Sequence, residues 1–133
     1  MTPPASAPTG PTVLVVDDDA ALLRTLQALL EQRQFRVLTA PDGLAALEVV
    51  AKQRPSVILL DIDMPKLDGE STALRLRSKP EWRTIPIIML TGIDEVMDQH
   101  LTATLGVVAY LRKPCEPDEL YATLQRALGA PVV

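Results

Sequence analysis

The stretch VILLDIDMPKLDG, from Val57 to Gly69, decides the fold. Its first four residues are apolar without a break, which is typical of a parallel strand that is covered by helices on both faces. Asp61 follows this run directly, at a place where a buried acid without a partner would be costly. The closing Asp68-Gly69 pair indicates a turn and the start of a helix. The stretch therefore predicts a buried strand that delivers an acid into a loop.

The same pattern recurs on both sides of this stretch. Further apolar runs begin at Val13 and Ile87, and weaker strands fit Arg36 to Thr39 and Val107 to Leu111. Between the strands, apolar residues recur at the i, i+3, i+4 spacing of core-facing helices, over residues 20–33, 44–53, 70–77, 95–105 and 118–128. Five strand–helix units in succession predict an α/β fold with a doubly wound, five-stranded parallel sheet.

Length and composition indicate one globular domain. The chain has 133 residues, of which 47% are hydrophobic and 23% charged, so a single core can bury most of its apolar surface. Residues 1–11 are rich in proline and small polar residues and are expected to be a disordered tail. The domain is expected over residues 12–129, and residues 130–133 are either a C-terminal tail or the start of a linker.

The charge balance argues against several classes of partner. The formal net charge is −4, and no run of Lys or Arg occurs, so neither direct nucleic-acid binding nor attraction to anionic lipid is expected. The longest apolar runs are far too short to cross a bilayer, and the lone Cys115 cannot form an internal disulfide. We therefore expect a cytoplasmic protein that does not insert into membranes.

Polar residues follow four of the five predicted strands. The Asp17-Asp18-Asp19 triplet follows the first, Asp61 the third, Thr91 the fourth and Lys113 the fifth. Ligands of open α/β sheets bind outside the carboxyl ends of the strands, and converging carboxylates repel one another unless a cation lies between them. Mg²⁺ is the expected ion, with Mn²⁺ as the alternative. A carboxylate there could act as a nucleophile toward a phosphoryl group, while a hydroxyl and an ammonium bind its oxygens.

Each residue alone has a simpler interpretation. An Asp triplet before a helix is commonly an N-cap with acids that favour the helix dipole. Thr91 and Lys113, taken singly, fit a strand-end hydroxyl and a solvated side chain. The joint arrangement at four strand ends is what favours a functional site.

Four motifs in order resemble the receiver domain of two-component response regulators. They are VLVVDDD, VILLDIDMPKLDG, IPIIMLTG and AYLRKP, and the resemblance spans Thr12 to about Leu128. It implies a flavodoxin-like (βα)5 receiver fold of the single-domain chemotaxis-regulator kind. The resemblance also implies a phosphorylation-controlled binding module that turns over no external substrate and is a monomer or weak dimer.

The resemblance assigns a role to each site residue. Asp61 would be the phosphoacceptor, and Mg²⁺ would be held by Asp18, Asp61 and the backbone carbonyl of Asp63, with Asp17 acting through water. Thr91 and Lys113 would bind the phosphoryl oxygens, Tyr110 would turn inward on activation, and the bond before Pro114 would be cis. The donor would be a sensor histidine kinase or a histidine phosphotransfer protein. The face formed by the fourth helix, fifth strand and fifth helix would then control binding of an unidentified downstream protein.

Departures from the family pattern bear on lifetime and dimerisation. Gly92 stands where Ala is commoner and Cys115 where an aromatic residue is common, while Asp63 adds charge near the acceptor; Gly92 and Asp63 are expected to modulate the site. Ala109 and Thr123 replace the charge pair through which many receivers dimerise, which argues against that mode of dimerisation.

Two other functions are compatible with parts of the sequence. Asp61-Ile62-Asp63 resembles the nucleophile and general acid of haloacid-dehalogenase-type phosphatases, although here the motif follows the third strand and not the first. A receiver-like scaffold that binds partners without phosphorylation is the second alternative. The complete set of Asp18, Asp61, Thr91 and Lys113 argues against a scaffold, which needs none of these groups.

Overall fold

The computed structural model describes residues 10–92 and 104–129. Five parallel strands form one sheet, and helices pack on it, so the predicted α/β fold is confirmed. The strands are β1 (Thr12–Val16), β2 (Arg36–Ala40), β3 (Val57–Asp61), β4 (Ile87–Thr91) and β5 (Val107–Arg112). The helices are α1 (Ala20–Gln32), α2 (Gly43–Lys52), α3 (Gly69–Arg77) and a C-terminal helix (Pro117–Gly129), with a short 3₁₀ helix at Pro80–Trp82.

Three sequence predictions fall wholly or largely outside the described residues. They are the disordered tail, of which only residues 10 and 11 are described, the helix over residues 95–105, of which only the end is described, and the C-terminal segment 130–133. They remain predictions.

The strand order places the site. Across the sheet the order is β2-β1-β3-β4-β5, so the direction of winding reverses between β1 and β3. A crevice opens at such a reversal, outside the carboxyl ends of the strands. The acids that follow β1 and end β3 therefore lie at the position where this class of sheet binds ligands.

The core has two layers, one on each face of the sheet. Alternate strand residues point to opposite faces, so Leu14, Ile58 and Met89 pack with α2 and α3, whereas Val15, Leu59 and Leu90 pack with α1 and the C-terminal helix. Because β1, β3 and β4 are almost completely buried, their continuous apolar runs have a direct structural reason. Trp82 belongs to the first layer and anchors the segment between α3 and β4 to the core.

Aspartates begin three of the helices. Asp19, Asp42 and Asp68 accept hydrogen bonds from backbone N–H groups in the first turns of α1, α2 and α3. Such caps satisfy donors that have no partner inside the helix. Each cap follows a strand by a short loop, so every cap also helps to shape the carboxyl edge of the sheet.

Strands β3 and β4 are each one residue longer than predicted. Asp61 and Thr91 were expected to follow their strands but are the last residues within them. The ladder continues because Asp61 lies opposite Leu90 and Thr91 opposite Arg112 in the register of neighbouring strands. Both polar residues are consequently held by rigid backbone, which is a more precise position than a loop provides.

The opposite, amino edge of the sheet is held by Arg77 at the end of α3. Its guanidinium donates hydrogen bonds to the carbonyls of Leu105 at 2.6 Å, Trp82 at 2.8 Å, Ile85 at 2.6 Å and Gly106 at 3.3 Å. Burial lowers the pKa of this guanidinium. One side chain therefore ties α3 to the segments that lead into β4 and β5.

Candidate phosphoacceptor and metal site

The three residues of the Asp17-Asp18-Asp19 triplet have different roles: one caps a helix, and the other two are available to the site. Asp19 is the α1 cap and accepts from the N–H groups of Ala21 at 3.0 Å and Leu22 at 3.1 Å. Asp17 is fully buried, and one of its oxygens accepts from the Asp19 N–H at 2.9 Å. Asp18 is exposed between them. The helix-cap interpretation is therefore correct for Asp19, and the other two carboxylates are left for the crevice.

Three carboxylates meet at the crevice. Oxygen atoms of Asp17, Asp18 and Asp61 all lie within 4.8 Å of one another. Asp17 and Asp61 are 0% and 2% exposed, whereas Asp18 is open to solvent. The cluster is thus a cup with two buried walls and one accessible acid, which suits an ion that keeps some of its water.

Lys113 is the cation that the chain itself supplies to this cup. Its Nζ lies 2.7 Å from Asp17 Oδ2 and 3.1 Å from Asp61 Oδ1. Its backbone N–H donates to the Thr91 carbonyl at 2.8 Å, which fixes the start of the loop after β5. The next peptide bond, Lys113–Pro114, is cis. The side chain predicted to bind phosphoryl oxygens thus contacts the predicted acceptor directly.

The surroundings of Asp61 disfavour its charge. Burial, followed by repulsion from Asp17, raises the pKa of Asp61 to about 6, although Lys113 acts in the opposite direction. Burial alone would lower the pKa of Lys113, but its hydrogen bonds and charge interactions with Asp17 and Asp61 outweigh burial, so this pKa is raised. Two buried acids and one ammonium leave an excess of negative charge at neutral pH. A second cation would relieve it.

The donor set fits a divalent cation. Asp17 Oδ2 is buried, and beyond its contact with the Lys113 ammonium it receives no well-aligned hydrogen bond from the described residues. Carboxylate oxygens are the ligands that Mg²⁺ prefers. Asp17, Asp18 and Asp61 could therefore supply ligands to such an ion, directly or through water.

Thr91 and Tyr110 lie on neighbouring strands beside this cup. The Thr91 side chain is buried, and its hydroxyl donates a long hydrogen bond of 3.4 Å to the Leu111 carbonyl. A bond of that length is weak, so the hydroxyl can change to a better acceptor. Tyr110, on β5, is 38% exposed. Of the two residues predicted to act in the switch, Thr91 is therefore buried and Tyr110 is partly exposed to solvent.

Asp63 and Gly92 occupy more open positions. The Asp63 side chain is exposed and does not join the carboxylate cluster found among the described residues. Its backbone N–H donates a long hydrogen bond of 3.4 Å to Asp61 Oδ1. Gly92 is half-buried directly after β4. Their modulating roles remain predictions.

Gly69 has a role that the sequence interpretation missed. A Cβ added at this position would lie 2.4 Å from the Asp61 carbonyl oxygen and 2.8 Å from Ile62 Cα, closer than carbon atoms can approach. The Gly69 N–H also donates to the Ile62 carbonyl at 2.8 Å. The sequence signal was the Asp68-Gly69 pair, which was interpreted as a turn and a helix start; the helix start is confirmed, but the close approach to Asp61 was not foreseen. Glycine is required here because α3 begins against the backbone of the acceptor.

Comparison with known proteins assigns the class. The chain combines a parallel sheet of this strand order with an acidic crevice at its carboxyl edge and a lysine directly after β5. Residues 13–125 match the response regulator receiver domain family, and the chain therefore belongs to that family. Receiver domains are signalling domains of two-component systems, which work with histidine kinases and downstream effectors.

Individual relatives show how far the similarity extends. A probable transcriptional regulator, ycf27 of Pyropia yezoensis, is 40% identical over 116 residues, which are 87% of this chain and 46% of that protein. The chain therefore spans about half the length of that relative. Protein PilG of Pseudomonas aeruginosa is 34% identical over 87% of this chain and 86% of its own.

A solved structure bears on the metal. The receiver domain of sensor histidine kinase PA1611 from Pseudomonas aeruginosa has a magnesium ion coordinated in its active-site cleft; it is 33% identical, covers 92% of this chain and 100% of its own, and superimposes with a TM-score of 0.82. Receiver domains thus bind Mg²⁺ at an acidic site. No helix within residues 10–92 or 104–129 has the length and apolar character to cross a membrane.

Proposed function

We propose that this chain accepts a phosphoryl group on Asp61 from a phosphohistidine of a sensor histidine kinase or histidine phosphotransfer protein. The observation that carries the proposal is the direct contact of the Lys113 ammonium with the buried carboxylates of Asp17 and Asp61. Such an arrangement leaves a nucleophilic oxygen at a strand end with a cation already beside it. Family membership and the magnesium of the similar receiver support the same function.

The chemistry is a transfer between two nucleophiles. A carboxylate oxygen of Asp61 attacks phosphorus, a P–O bond forms, the P–N bond to the donor imidazole breaks, and the imidazole leaves with the bonding pair. Bound Mg²⁺ would supply charge neutralisation to the transferred oxygens. Lys113 holds an ammonium within 3.1 Å of the attacking carboxylate, where it can donate to the same oxygens as charge develops. No external substrate is turned over in this scheme.

The readout is a change of partner binding at the face of β5 and the C-terminal helix. A phosphoryl group adds about −1.5 to −2 charge at neutral pH. In this proposal the Thr91 hydroxyl leaves its long bond to Leu111 for a phosphoryl oxygen, and Tyr110 moves into the space behind it. A two-state face then shifts toward the form that binds a downstream protein.

Intact-mass spectrometry after incubation with acetyl phosphate tests the acceptor. We expect a Mg²⁺-dependent gain of one phosphoryl group that hydroxylamine removes, and no gain in Asp61→Asn. Asp63→Asn is the matched control, because it removes an exposed carboxylate two residues away and should still be labelled. Labelling that persists in Asp61→Asn would overturn the assignment. Repeated hydrolysis of p-nitrophenyl phosphate that depends on Asp63 would instead favour the phosphatase alternative.

A second measurement tests the switch separately from the acceptor. Thr91→Ala should still take up the phosphoryl group, but phosphorylation should no longer change the amide spectrum around Tyr110. If phosphorylation changed the amide spectrum of Thr91→Ala as much as that of wild type, the role of the hydroxyl would be contradicted, and Asp61 would still be the acceptor. The two experiments therefore separate phosphoryl transfer from its readout.

A further inference from the structure

Basic residues are concentrated at the edge of the sheet opposite the acidic crevice. Helices run antiparallel to the strands they connect, so helix C-termini and the following turns lie at the amino edge. Eight of the chain's 13 Lys and Arg residues occur near the ends of α1, α2 and α3 or in the segments that follow them: Arg33, Arg36, Lys52, Arg54, Arg75, Arg77, Lys79 and Arg83. The acidic residues in or beside these segments are Glu31, Glu48 and Glu81. A protein of net negative charge thus carries a basic pole.

A groove opens at this pole between α2 and the end of α3. Its volume is about 420 Å³, and its walls include Leu47, Glu48 and Ala51 from α2. The opposite wall is formed by Arg75, Lys79 and Trp82. Trp82 is 9% exposed, so only part of the indole reaches the groove while the rest anchors the core. The groove therefore combines an apolar lining with two cations.

The two cations of the groove have no carboxylate partner among the described residues. Within residues 10–92 and 104–129, the ion pairs join Lys66 to Asp42 and Lys113 to Asp17 and Asp61. The Lys79 ammonium lies 5.3 Å from the centre of the Trp82 ring, and this contact leaves its charge unneutralised. An anion that enters the groove would therefore gain an ion pair without breaking an existing one.

We propose that this groove docks an acidic segment of a partner protein, with a bulky apolar side chain of the segment against Trp82 and Ala51 and its carboxylates on Arg75 and Lys79. Charge complementarity selects the acidic flanks, and burial of an apolar anchor in a pocket is the usual source of affinity in such contacts. The apolar lining formed by Leu47 and Ala51 suits an apolar side chain, which a phosphate backbone does not present, so the groove favours a peptide over a nucleic acid. This inference goes beyond phosphoryl transfer.

The position of the groove makes docking independent of the phosphoryl site. Asp61 ends β3 at the carboxyl edge, whereas Trp82 precedes β4 at the amino edge. A partner could therefore occupy the groove while a kinase or phosphotransfer protein contacts the crevice. The affinity of the groove should be the same in wild type and in Asp61→Asn, so failure of the docking proposal and failure of the phosphoacceptor proposal can be told apart.

Fluorescence of Trp82, the only tryptophan in the chain, reports on binding directly. The probes are capped octapeptides with every pair of Leu, Ile, Met and Phe at the centre and three Asp or Glu residues on each side. We expect saturable binding of acidic members, with Kd below about 1 mM, and a shift of the Trp82 emission. Counterparts with Ser flanks should bind roughly tenfold more weakly, and those with Lys flanks should not bind.

Variants of the chain assign the binding to the groove. The pair Arg75→Glu and Lys79→Glu should weaken binding more than roughly tenfold, whereas Arg24→Glu with Arg36→Glu, an equal charge change at exposed positions outside the groove, should leave it within about threefold. Ala51→Phe fills the groove without a change of charge and should abolish binding. Binding that survives Ala51→Phe, absence of binding by every acidic peptide at 2 mM peptide, or equal binding of the oligonucleotide dT8 would overturn the proposal.

Discussion

The amino edge and the carboxyl edge of the sheet differ in how their buried charged side chains are stabilised. At the amino edge, the Arg77 guanidinium donates to four backbone carbonyls and forms no ion pair with an acid of residues 10–92 or 104–129. At the carboxyl edge, the buried carboxylates of Asp17 and Asp61 share one ammonium, that of Lys113. The first arrangement satisfies its charge with fixed dipoles. The second leaves excess negative charge, so it is the edge at which a further cation would relieve repulsion.

Removal of the Arg77 guanidinium should have the largest effect on stability. Arg77→Ala leaves four backbone carbonyls without this donor, and we expect it to lower the free energy of unfolding by about 3 kcal/mol. Urea unfolding followed by circular dichroism measures this loss. Arg24→Ala, at an exposed position, is the control and should change stability by less than about 0.5 kcal/mol. Equal effects of the two substitutions would show that the amino edge is not held by this side chain.

Loss of Lys113 should be the next largest effect. Lys113→Met removes the only cation that contacts Asp17 and Asp61 in the described residues, and we expect a loss of about 2 kcal/mol at pH 7 without metal. The loss should shrink at pH 4, because Asp61 is then protonated in the folded protein. Added Mg²⁺ should restore part of it. A loss that is the same at both pH values would contradict the charge imbalance.

The carboxyl edge should also show its imbalance as a pH dependence. The pKa of Asp61 is raised from 3.8 to about 6 in the folded state, so the folded protein binds more protons than the unfolded chain between these values. The contribution of Asp61 to the free energy of unfolding is therefore fully present below pH 3.8 and is lost as the pH rises through 6. Asp61→Asn should stabilise the metal-free protein at pH 7 by about 1–2 kcal/mol. Unfolding at pH 4, 5, 6 and 7 measures how the free energy of unfolding depends on pH. A difference between Asp61→Asn and wild type that stays constant with pH would refute the raised pKa.

An ion pair with an exposed lysine at the same edge should have the smallest effect. Lys66 Nζ lies 3.5 Å from Asp42 Oδ2, and the Lys66 side chain is 66% exposed. Lys66→Ala should change stability by no more than about 0.5 kcal/mol, since such pairs are screened by solvent. Thermal unfolding at low and high salt checks this. A change as large as that of Lys113→Met would mean that burial does not explain the difference between the two lysines.

The carboxyl edge could largely be predicted from sequence. Continuous apolar runs are visible without a structure, and parallel strands bring the residues after them to one edge, so Asp17, Asp61, Thr91 and Lys113 were expected together. The structure corrected the position of two of them, because Asp61 and Thr91 end their strands and do not follow them. Hydrophobicity locates a strand, but hydrogen bonding to the neighbouring strand decides its last residue.

The amino edge could not be predicted in the same way. Arg77 contacts backbone carbonyls at sequence separations from 5 to 29 residues, and a carbonyl acceptor leaves no signature in residue type. The Gly69 contact with the Asp61 backbone is hidden for the same reason. The groove beside Trp82 also depends on how α2 and α3 pack, which no periodicity specifies.

By itself, the sequence determined the order in which strands and helices follow along the chain and the faces that they bury, because these follow from local hydrophobic patterns. It also determined which reactive groups lie at the strand ends, because parallel strands end at one edge of a sheet. Only the tertiary structure decided that Asp19 caps a helix while Asp17 pairs with Lys113. It also decided that Arg77 binds the carbonyls of the opposite edge and that Arg75 and Lys79 border an apolar groove. Those outcomes depend on distances between segments far apart in the chain, which packing alone sets.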